Sequence, residues 1–258
     1  MPIVTLTTDF SVSDWFVGSI KGVILGINPQ INIVDITHDL PSGDIYKGAF
    51  SLLAAYRCFP RNTVHLAVVD PGVGSQRAAI AVRTSDYFFV GPDNGVLSLA
   101  LAQESVVEIR RLDNDQMFRK PVSATFHGRD IFAPVAARLT QGIIIDSLGA
   151  PLKEFMRLPW PKPKYDKGVV AGEVVYLDHF GNAITSIDLK TLAALGPRAL
   201  KVSARDQELC EVKRFYQEVP QGQPVAVLGS SGLLEIAING GSAAQVLSLK
   251  VGDSVSVV

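Results

Sequence analysis

The first 140 residues alternate between strand-like and helix-like patterns, and this alternation limits the possible folds more than any other feature of the chain. The run Ile3–Thr7 predicts a buried strand, and the apolar residues between Ser13 and Ile27 recur at helical spacing, with Ser13 as the predicted cap. The alternation continues with strands at Ile31–Thr37, Thr63–Val69, Ala78–Arg83, Tyr87–Val90 and Val106–Leu112, and helices at Asp44–Cys58, Gly95–Gln103 and Asp130–Thr140. Such alternation predicts a layered α/β domain with a mostly parallel sheet.

A proline-rich segment marks the end of this pattern. Residues 158–164 carry three prolines in alternation, which neither a helix nor a central strand tolerates. We therefore predict an N-terminal domain at 1–157, a linker at 158–167 and a C-terminal domain at 168–258.

The C-terminal domain has short strand-like runs separated by Gly, Asn and Asp turns, with one short helix near Leu189–Leu195. The runs are Gly168–Asp178, Asn182–Ile187, Ala199–Ala204, Gln207–Lys213, Pro224–Leu228, Leu233–Ile238 and Ser254–Val258. This pattern predicts a smaller β-barrel, with a sandwich as the alternative.

Composition narrows the class of protein. The 258 residues include 24 basic and 25 acidic side chains, and a net charge of -1 argues against a nucleic-acid binder. Cys58 and Cys210 lie far apart, which provides neither a disulfide framework nor a cysteine-rich zinc site. No apolar run reaches the roughly 18 residues of a membrane span, and no basic segment opens the chain. We expect a soluble, cytoplasmic protein that binds no membrane.

Three aspartates lie within two residues of the end of a predicted strand: Asp9, Asp39 and Asp70. Ligands of open α/β sheets bind beyond the carboxyl ends of the strands. An aspartate there can accept hydrogen bonds from ribose hydroxyls or orient a catalytic group. A helix cap or an Asx turn is the structural alternative for each of them.

Two glycine-rich segments carry ionisable side chains next to apolar runs. Residues 69–77 contain Asp70 and Arg77, and residues 125–130 contain His127. A carboxylate, a guanidinium and an imidazole that converge on a small molecule suit the handling of a proton or a hydroxide. Taken singly, each also has a structural explanation, as a turn cap, a surface ion pair or a packed histidine. His38, His65 and His179 have no partners at metal-ligand spacing.

Six motifs in order carry a resemblance to a known family. They are Thr7-Thr8-Asp9-Phe10, Val69-Asp70-Pro71-Gly72-Val73-Gly74, Gly91-Pro92-Asp93-Asn94-Gly95, Thr125 to Pro134, Asp178-His179-Phe180-Gly181-Asn182 and Ser230 to Ala237. Together they resemble the S-adenosyl-L-methionine (SAM) hydroxide adenosyltransferases, which are SAM hydrolases related to fluorinase and chlorinase. The resemblance extends over nearly the whole chain and both predicted domains.

The resemblance implies hydrolysis of SAM to adenosine and L-methionine by SN2 attack of water or hydroxide at the ribose C5′. It also implies that Asp70, Arg77 and His127 bind and activate the water. Arg77 would be the cation beside the oxygen, His127 the base or hydrogen-bond partner and Asp70 the orienting carboxylate. Neither a metal nor any other cofactor is expected.

The resemblance also assigns substrate-binding residues. Asp9 would bind the ribose hydroxyls, and Phe126 would pack against the ribose or adenine. Phe180 would stack on the adenine face, Asn182 would bind the adenine edge, and Ile238 and Asn239 would bind the base through backbone groups. Asp14 and Asp178 would bind the methionine amine and Ser230 the methionine carboxylate, whereas Glu235 lies in the same motif as Ser230 with a less defined role. Core packing is the alternative for Phe126 and Phe180.

Departures from the halogenating relatives bear on the nucleophile. Those enzymes resemble this chain but have Tyr at Asp70, Thr near Val73, Tyr at His127 and Ser at Gly128. A carboxylate at position 70 would repel a halide, so water or hydroxide is the expected nucleophile. The halogenases have Arg where this chain has Ser231, which leaves the contact to the methionine carboxylate open.

The family resemblance further implies a homotrimer in which the N-terminal domain of one subunit and the C-terminal domain of the next bind the same SAM molecule. The alternatives are a SAM- or adenosine-binding module without turnover, a SAM-dependent halogenase, and a metal-dependent hydrolase, which the absence of a clustered His, Asp or Cys motif disfavours.

Overall fold

The first unit contains one six-stranded sheet. The computed structural model describes residues 2–258, which divide into units 1–158 and 159–258. The strands are β1 (Ile3–Thr8), β2 (Asn32–Thr37), β3 (Val64–Val68), β4 (Ala79–Thr84), β5 (Phe88–Pro92) and β6 (Val106–Arg111). Their order is β2-β1-β3-β5-β4-β6; the first four run parallel, and β4 is antiparallel to both of its neighbours. The predicted α/β fold with a mostly parallel sheet is confirmed.

Helices cover both faces of this sheet. They are α1 (Phe16–Ile27), α2 (Ile45–Ala55), α3 (Ser98–Leu101) and α4 (Ala133–Thr140), with 3-10 turns at Tyr56–Cys58, Asp115–Met117 and Ile145–Leu148. Helices α1 and α4 pack together, as do α2 and α3. Alternate residues of β3 point to opposite faces: Leu66 joins the core under α1 and α4, whereas Ala67 joins the core under α2 and α3.

Two details of the predicted helices are wrong. Helix α1 begins at Phe16 after Trp15, without a side-chain cap, because the Ser13 hydroxyl lies 2.7 Å from that of Ser11 instead of reaching the helix backbone. The helix predicted from Asp130 begins as a π-helical turn, Gly128–Phe132, and becomes α-helical only at Ala133. An apolar periodicity cannot distinguish a π turn from an α turn over so few residues.

The second unit forms a closed barrel, as predicted. Its strands are β7 (Lys164–Asp166), β8 (Val169–Leu177), β9 (Ala183–Asp188), β10 (Lys201–Ala204), β11 (Gln207–Lys213), β12 (Pro224–Leu228), β13 (Leu233–Ile238) and β14 (Ser254–Val257). They follow the order β14-β10-β11-β12-β13-β9-β8-β7, and pairing of β14 with β8 closes a ring of seven. Closure leaves no free edge among those seven strands.

Short helices fill the connections of the barrel: α5 (Leu189–Ala193), α6 (Ala243–Val246) and a 3-10 turn at Tyr216–Glu218. Strand β7 lies inside the segment 158–167 that the sequence predicts to be a linker. The domain boundaries given from the sequence stay a prediction. Among residues 2–258, no helix has the length and apolar content needed to cross a bilayer.

Candidate active site

The order of the central strands places Asp9 and Asp70 beside each other. Asp9 follows β1 and Asp70 comes two residues after the end of the adjacent strand β3. In the sheet, β2 lies on one side of β1 and β3 on the other, so the connections after β1 and after β3 run in opposite directions. Ligands of open α/β sheets bind at such a point. Asp39, after β2 at the sheet edge, is exposed.

A cavity of about 330 Å³ lies at this position and is called the first pocket. Its walls are Asp9, Phe10, Phe16, Ser42, Gly43, Val68, Asp70, Pro71, Val73, Thr125, Phe126, His127 and Gly128. Four residues predicted to be catalytic or substrate-binding therefore share one pocket. The remaining predicted catalytic residue, Arg77, is bonded to two of them.

Backbone contacts hold the two aspartates in place. Asp9 Oδ2 accepts a hydrogen bond of 2.7 Å from the Gly43 backbone N–H. The Asn94 amide donates to the carbonyl oxygen of Val69, at 2.8 Å, and so holds the chain next to Asp70. The motif at 91–95 pointed to the family, but sequence reasoning assigned Asn94 no part in the site.

Arg77 links Asp70 to His127. The Arg77 Nε donates to both oxygens of the Asp70 carboxylate, at 3.0 and 3.1 Å, and Nη2 donates to Oδ2 as well. The same Nη2 donates to His127 Nδ1 at 2.9 Å. The Asp70 and Arg77 side chains are only 4% and 11% exposed, so little water screens this pair.

The bond from Arg77 determines which nitrogen of His127 carries the proton. A guanidinium has donors only, so His127 Nδ1 must accept and its neutral ring is protonated at Nε2. Burial lowers the pKa of His127 and the Arg77 charge lowers it further, while the Asp70 and Asp130 carboxylates act in the opposite direction. At neutral pH His127 is therefore an uncharged donor through Nε2, and its Nδ1 is not free to act as a base.

A glycine allows the two loops that carry the predicted catalytic residues to meet. Gly74 has φ +77°, and a Cβ at this position would collide with the carbonyl oxygen of Ala124. The loop of residues 70–77 therefore rests directly on the backbone that precedes His127. Only glycine combines this conformation with so close an approach.

Asp130 anchors the other side of His127. Its side chain is fully buried and accepts hydrogen bonds from Arg129 Nε at 2.7 Å, Arg119 Nη1 at 3.2 Å and the Ser123 N–H at 2.9 Å. These bonds tie the 119–125 segment to the π-helical turn. The acid of the Thr125–Asp130 motif is thus structural, and it positions the loop that carries His127.

Aromatic side chains form the apolar wall of the first pocket. Phe126 is buried, and its ring meets those of Phe10 and Phe16 edge-on at centroid distances of 6.0 and 5.2 Å. Asp14 is exposed ahead of α1 and is not part of this wall. Its predicted contact with the methionine amine stays a prediction.

The second unit has a cleft of about 730 Å³, called the second cleft, which brings four predicted substrate residues together. Phe180, Asn182, Ile238 and Asn239 line it with Phe215, Tyr216, Gln217, Gly240 and Gly241. The backbone N–H and side-chain amide of Asn182 donate to the two oxygens of Asp178, at 2.8 and 3.0 Å. Asp178 thereby fixes the orientation of the Asn182 amide.

Three residues of the second unit predicted to bind substrate do not line the second cleft: Asp178, Ser230 and Glu235. Ser230 is exposed in the turn between β12 and β13, and Glu235 is buried with its carboxylate bonded to the Tyr216 hydroxyl. Sequence reasoning missed Phe215 and Tyr216. Two adjacent aromatic residues in the break between the runs 207–213 and 224–228 were the available signal.

Two of the other three histidines are buried beside threonine hydroxyls. His65 Nδ1 lies 2.8 Å from the Thr5 hydroxyl and His38 Nδ1 lies 2.7 Å from that of Thr8, both in the buried interior, whereas His179 is exposed beside Phe180. Burial lowers the pKa of His65 to about 3. Within residues 2–258 no group of three or more His, Cys, Asp or Glu side chains has the arrangement of a metal site.

Known proteins match the chain along its length. The profile of the SAM hydroxide adenosyltransferase N-terminal domain matches residues 4–149, and that of the C-terminal domain matches residues 172–256. An (R)-S-adenosyl-L-methionine hydrolase from Salinispora tropica is 40% identical over 99% of this chain and 97% of its own. A fluorinase from an Actinoplanes species is more distant, at 27% identity over 99% and 97%.

A solved structure has the same architecture. The crystal structure of an uncharacterised conserved protein from Thermotoga maritima superposes with a TM-score of 0.93 at 40% identity and covers 99% of both chains. Two domain profiles in register and full-length relatives at this identity establish the family. The chain belongs to the SAM hydroxide adenosyltransferase family.

Proposed function

We propose that the protein hydrolyses SAM to adenosine and L-methionine. The single observation that carries the proposal is the Asp70–Arg77–His127 chain of hydrogen bonds, whose carboxylate and imidazole line the pocket that also contains Asp9. The relatives named (R)-S-adenosyl-L-methionine hydrolase add support, because their similarity extends over nearly the whole chain.

Bulk water, with a pKa of roughly 15.7, is too weak an acid to supply hydroxide at neutral pH unaided. In our proposal the His127 Nε2–H donates to the water oxygen and the Asp70 carboxylate accepts one of its protons. The oxygen forms its bond to C5′ as the C5′–sulfur bond breaks. The electron pair of the breaking C5′–sulfur bond stays on sulfur and neutralises the sulfonium, so methionine leaves as a thioether. One proton of the water is released. Arg77 keeps both partners oriented.

The proton arrangement of His127 determines its role. Because Nδ1 already accepts from Arg77, His127 supports the nucleophile as a donor and not as the base that our sequence analysis allowed. Asp70 retains lone pairs beyond those that Arg77 occupies, and it is the acceptor we assign.

The remaining substrate contacts that we propose rest on the position of each side chain in a pocket or on the family resemblance. Asp9 suits the ribose hydroxyls and Phe126 the adjacent apolar surface, because both line the first pocket. Phe180, Asn182, Ile238 and Asn239 all line the second cleft. We assign Phe180 to the adenine face, the oriented Asn182 amide to the adenine edge, and the backbone of Ile238 and Asn239 to further contacts with the base. Ser230 for the methionine carboxylate, and Asp14 and Asp178 for its amine, rest on the family resemblance.

A labelling experiment tests the reaction. Purified protein with SAM in water enriched in heavy oxygen should place the label on the 5′ oxygen of adenosine, with an equal amount of methionine. Added chloride or fluoride should give no halogenated nucleoside. Label elsewhere, methylthioadenosine or S-adenosylhomocysteine as the product, or SAM binding without turnover would each contradict the proposal.

We further propose that the protein is a homotrimer in which different subunits contribute the two sets of substrate residues. Support comes from the distribution of those residues, with Asp9 and His127 in one unit of the chain and Asn182 in the other. Inactive His127→Ala and Asn182→Ala proteins should then regain activity when mixed, because exchange creates sites with both residues intact. Exchange shown by labelled subunits without regained turnover would contradict a shared site.

A cytoplasmic location is also proposed. Subcellular fractionation of the native host should recover the protein with the cytoplasmic enzymes, and recovery elsewhere would contradict it.

A further inference from the structure

The Tyr216 hydroxyl donates a hydrogen bond to Glu235 Oε1. Tyr216 lines the second cleft and is 40% exposed, whereas Glu235 on β13 is 6% exposed and does not line the cleft. A buried carboxylate is costly unless it is bonded, so this contact holds the tyrosine ring in one orientation. Glu235 therefore acts on the cleft through Tyr216.

The other oxygen of Glu235 faces a second loop. A Cβ at Gly229 would lie 2.8 Å from Glu235 Cδ and closer still to its Oε2. Gly229 opens the tight turn that carries Ser230 and Ser231, closed by a bond of 2.9 Å from Gly229 N to Leu233 O. The Ser231 hydroxyl is buried there with no protein partner. The carboxylate thus fits between the aromatic wall of the cleft and the serine turn.

The environment of Glu235 offers no cation within the barrel to balance it. Burial raises the pKa of Glu235, the Tyr216 hydrogen bond opposes this and the nearby Asp178 carboxylate raises it further. The pKa of Tyr216 is raised by its own burial and by the Glu235 carboxylate, which keeps the phenol protonated as a donor. The direction of the hydrogen bond is therefore fixed from Tyr216 to Glu235.

We propose that Glu235 is a positioning residue that joins two substrate subsites, setting Tyr216 against the adenosine part of SAM and the Gly229–Ser231 turn against the methionine part. This inference rests on the proposed function, because it takes the second cleft as the site of the adenosine part of SAM and Ser230 as the contact for its methionine carboxylate. It adds Tyr216 to the substrate-contacting residues and gives Glu235 an indirect role.

Product inhibition separates the two subsites. Inhibition constants of adenosine and of L-methionine against SAM turnover are measured for wild type, Tyr216→Phe, Glu235→Gln and the double variant. Tyr216→Phe should raise the adenosine constant by about tenfold and leave that of methionine unchanged, because one hydrogen bond to a charged group is lost. Glu235→Gln should raise both constants and the KM for SAM, with kcat within about twofold because neither residue touches the reacting atoms.

The double variant should have the same adenosine constant as Glu235→Gln, because the two residues act as one unit. Matched controls are Tyr165→Phe on β7 and Glu208→Gln on β11, which should leave both inhibition constants unchanged. Both residues are exposed, and neither lines the second cleft. Gly229→Ala displaces the carboxylate by its methyl group and carries the test if Glu235→Gln fails to fold; it should raise the methionine constant.

Unchanged constants in Tyr216→Phe and Glu235→Gln, with an active wild type, would overturn the positioning role and leave SAM hydrolysis intact. An effect of Glu235→Gln on adenosine alone would overturn the link to the serine turn. A wild type that neither binds adenosine nor converts SAM would overturn the proposed function, and the positioning role with it.

Discussion

The Arg77 guanidinium donates to His127 Nδ1 over 2.9 Å, although fifty residues separate the two in the chain. This one bond makes the imidazole a donor through Nε2 and excludes Nδ1 as a proton acceptor. In our proposal Asp70, which belongs to the same chain of hydrogen bonds, accepts the proton of the water.

Substitutions that keep a donor at one ring position separate the two nitrogens of His127. A glutamine amide reaches about as far as Nε2, and an asparagine amide about as far as Nδ1. His127→Gln should therefore retain more turnover than His127→Asn, while His127→Ala should lose about 10²- to 10³-fold in kcat, the usual cost of removing one preorganised donor. Steady-state kinetics checks the order, and an asparagine variant more active than the glutamine variant would contradict it.

The pH dependence of kcat/KM follows from the direction of the His127 shift. Its pKa lies below the ordinary value of about 6.5, chiefly through burial. As pH falls through that lowered pKa, a proton on Nδ1 opposes Arg77 and activity should decline, whereas above it activity should be level with respect to this group. The acid limb should be absent in His127→Gln. A glutamine variant that keeps the same limb would assign it to another group.

Arg77→Lys should lower kcat by about 10²-fold or more, since an ammonium cannot hold a carboxylate bidentately and donate to an imidazole at once. Arg83, an exposed arginine paired with Glu108 at 3.2 Å, is the matched control, and Arg83→Lys should leave kcat within about twofold. Equal effects of the two substitutions would show that the geometry of Arg77 is not required.

Gly74→Ala tests the contact between the loop of residues 70–77 and the backbone that precedes His127. The new methyl group must push away the Ala124 carbonyl, so we expect a loss of about 1–3 kcal/mol in unfolding free energy and a lower kcat. Gly142 has a similar φ, +83°, but open space around it, and Gly142→Ala should show only the backbone strain with normal turnover. Denaturant titration and steady-state kinetics on both variants separate the effect of backbone strain from that of the collision with the Ala124 carbonyl. Similar turnover in both would mean that the loop contact is dispensable.

Acid should destabilise the fold through His65. Its pKa is about 3 in the folded protein and about 6.5 when unfolded, so the unfolded chain gains a proton that the folded one refuses. The free energy of unfolding is therefore highest, with respect to this group, above pH 6.5 and decreases as pH falls toward 3. Between pH 6.5 and 5 the decrease due to His65 is about 2 kcal/mol.

The variant that isolates the His65 effect replaces both partners of the buried pair with apolar groups, Thr5→Val with His65→Phe. Its unfolding free energy, measured by denaturant titration, should fall less steeply between pH 6.5 and 5 than that of the wild type. Equal slopes would assign the acid sensitivity to other residues.

Local pattern was enough to predict the architecture. Strand runs such as Ile3–Thr7 and Leu233–Ile238 are apolar because the sheet and the barrel bury them, so periodicity predicts both elements. The loop aspartates Asp9 and Asp70 follow from the rule that ligands lie beyond parallel strands. That rule alone does not separate them from Asp39, which depends on strand order.

The rest of the site depends on contacts distant in sequence. Nothing local to Arg77 specifies that its second donor reaches His127, and nothing local to Tyr216 specifies that Glu235 accepts its hydrogen bond. The cap predicted at Ser13 is wrong for a different reason, because the Ser13 hydroxyl contacts that of Ser11 in a local turn that competes with helix capping.

The π-helical turn at Gly128–Phe132 accommodates one more residue than an α turn between His127 and the rigid helix α4. Removing one residue there would let the helix continue as an α-helix, and every residue before it would turn by about 100° and move by about 1.5 Å. His127 would then move away from Arg77 although Asp70, Arg77 and His127 were all still present. At this position the number of residues in the turn, and not only their identity, determines where His127 lies relative to Arg77.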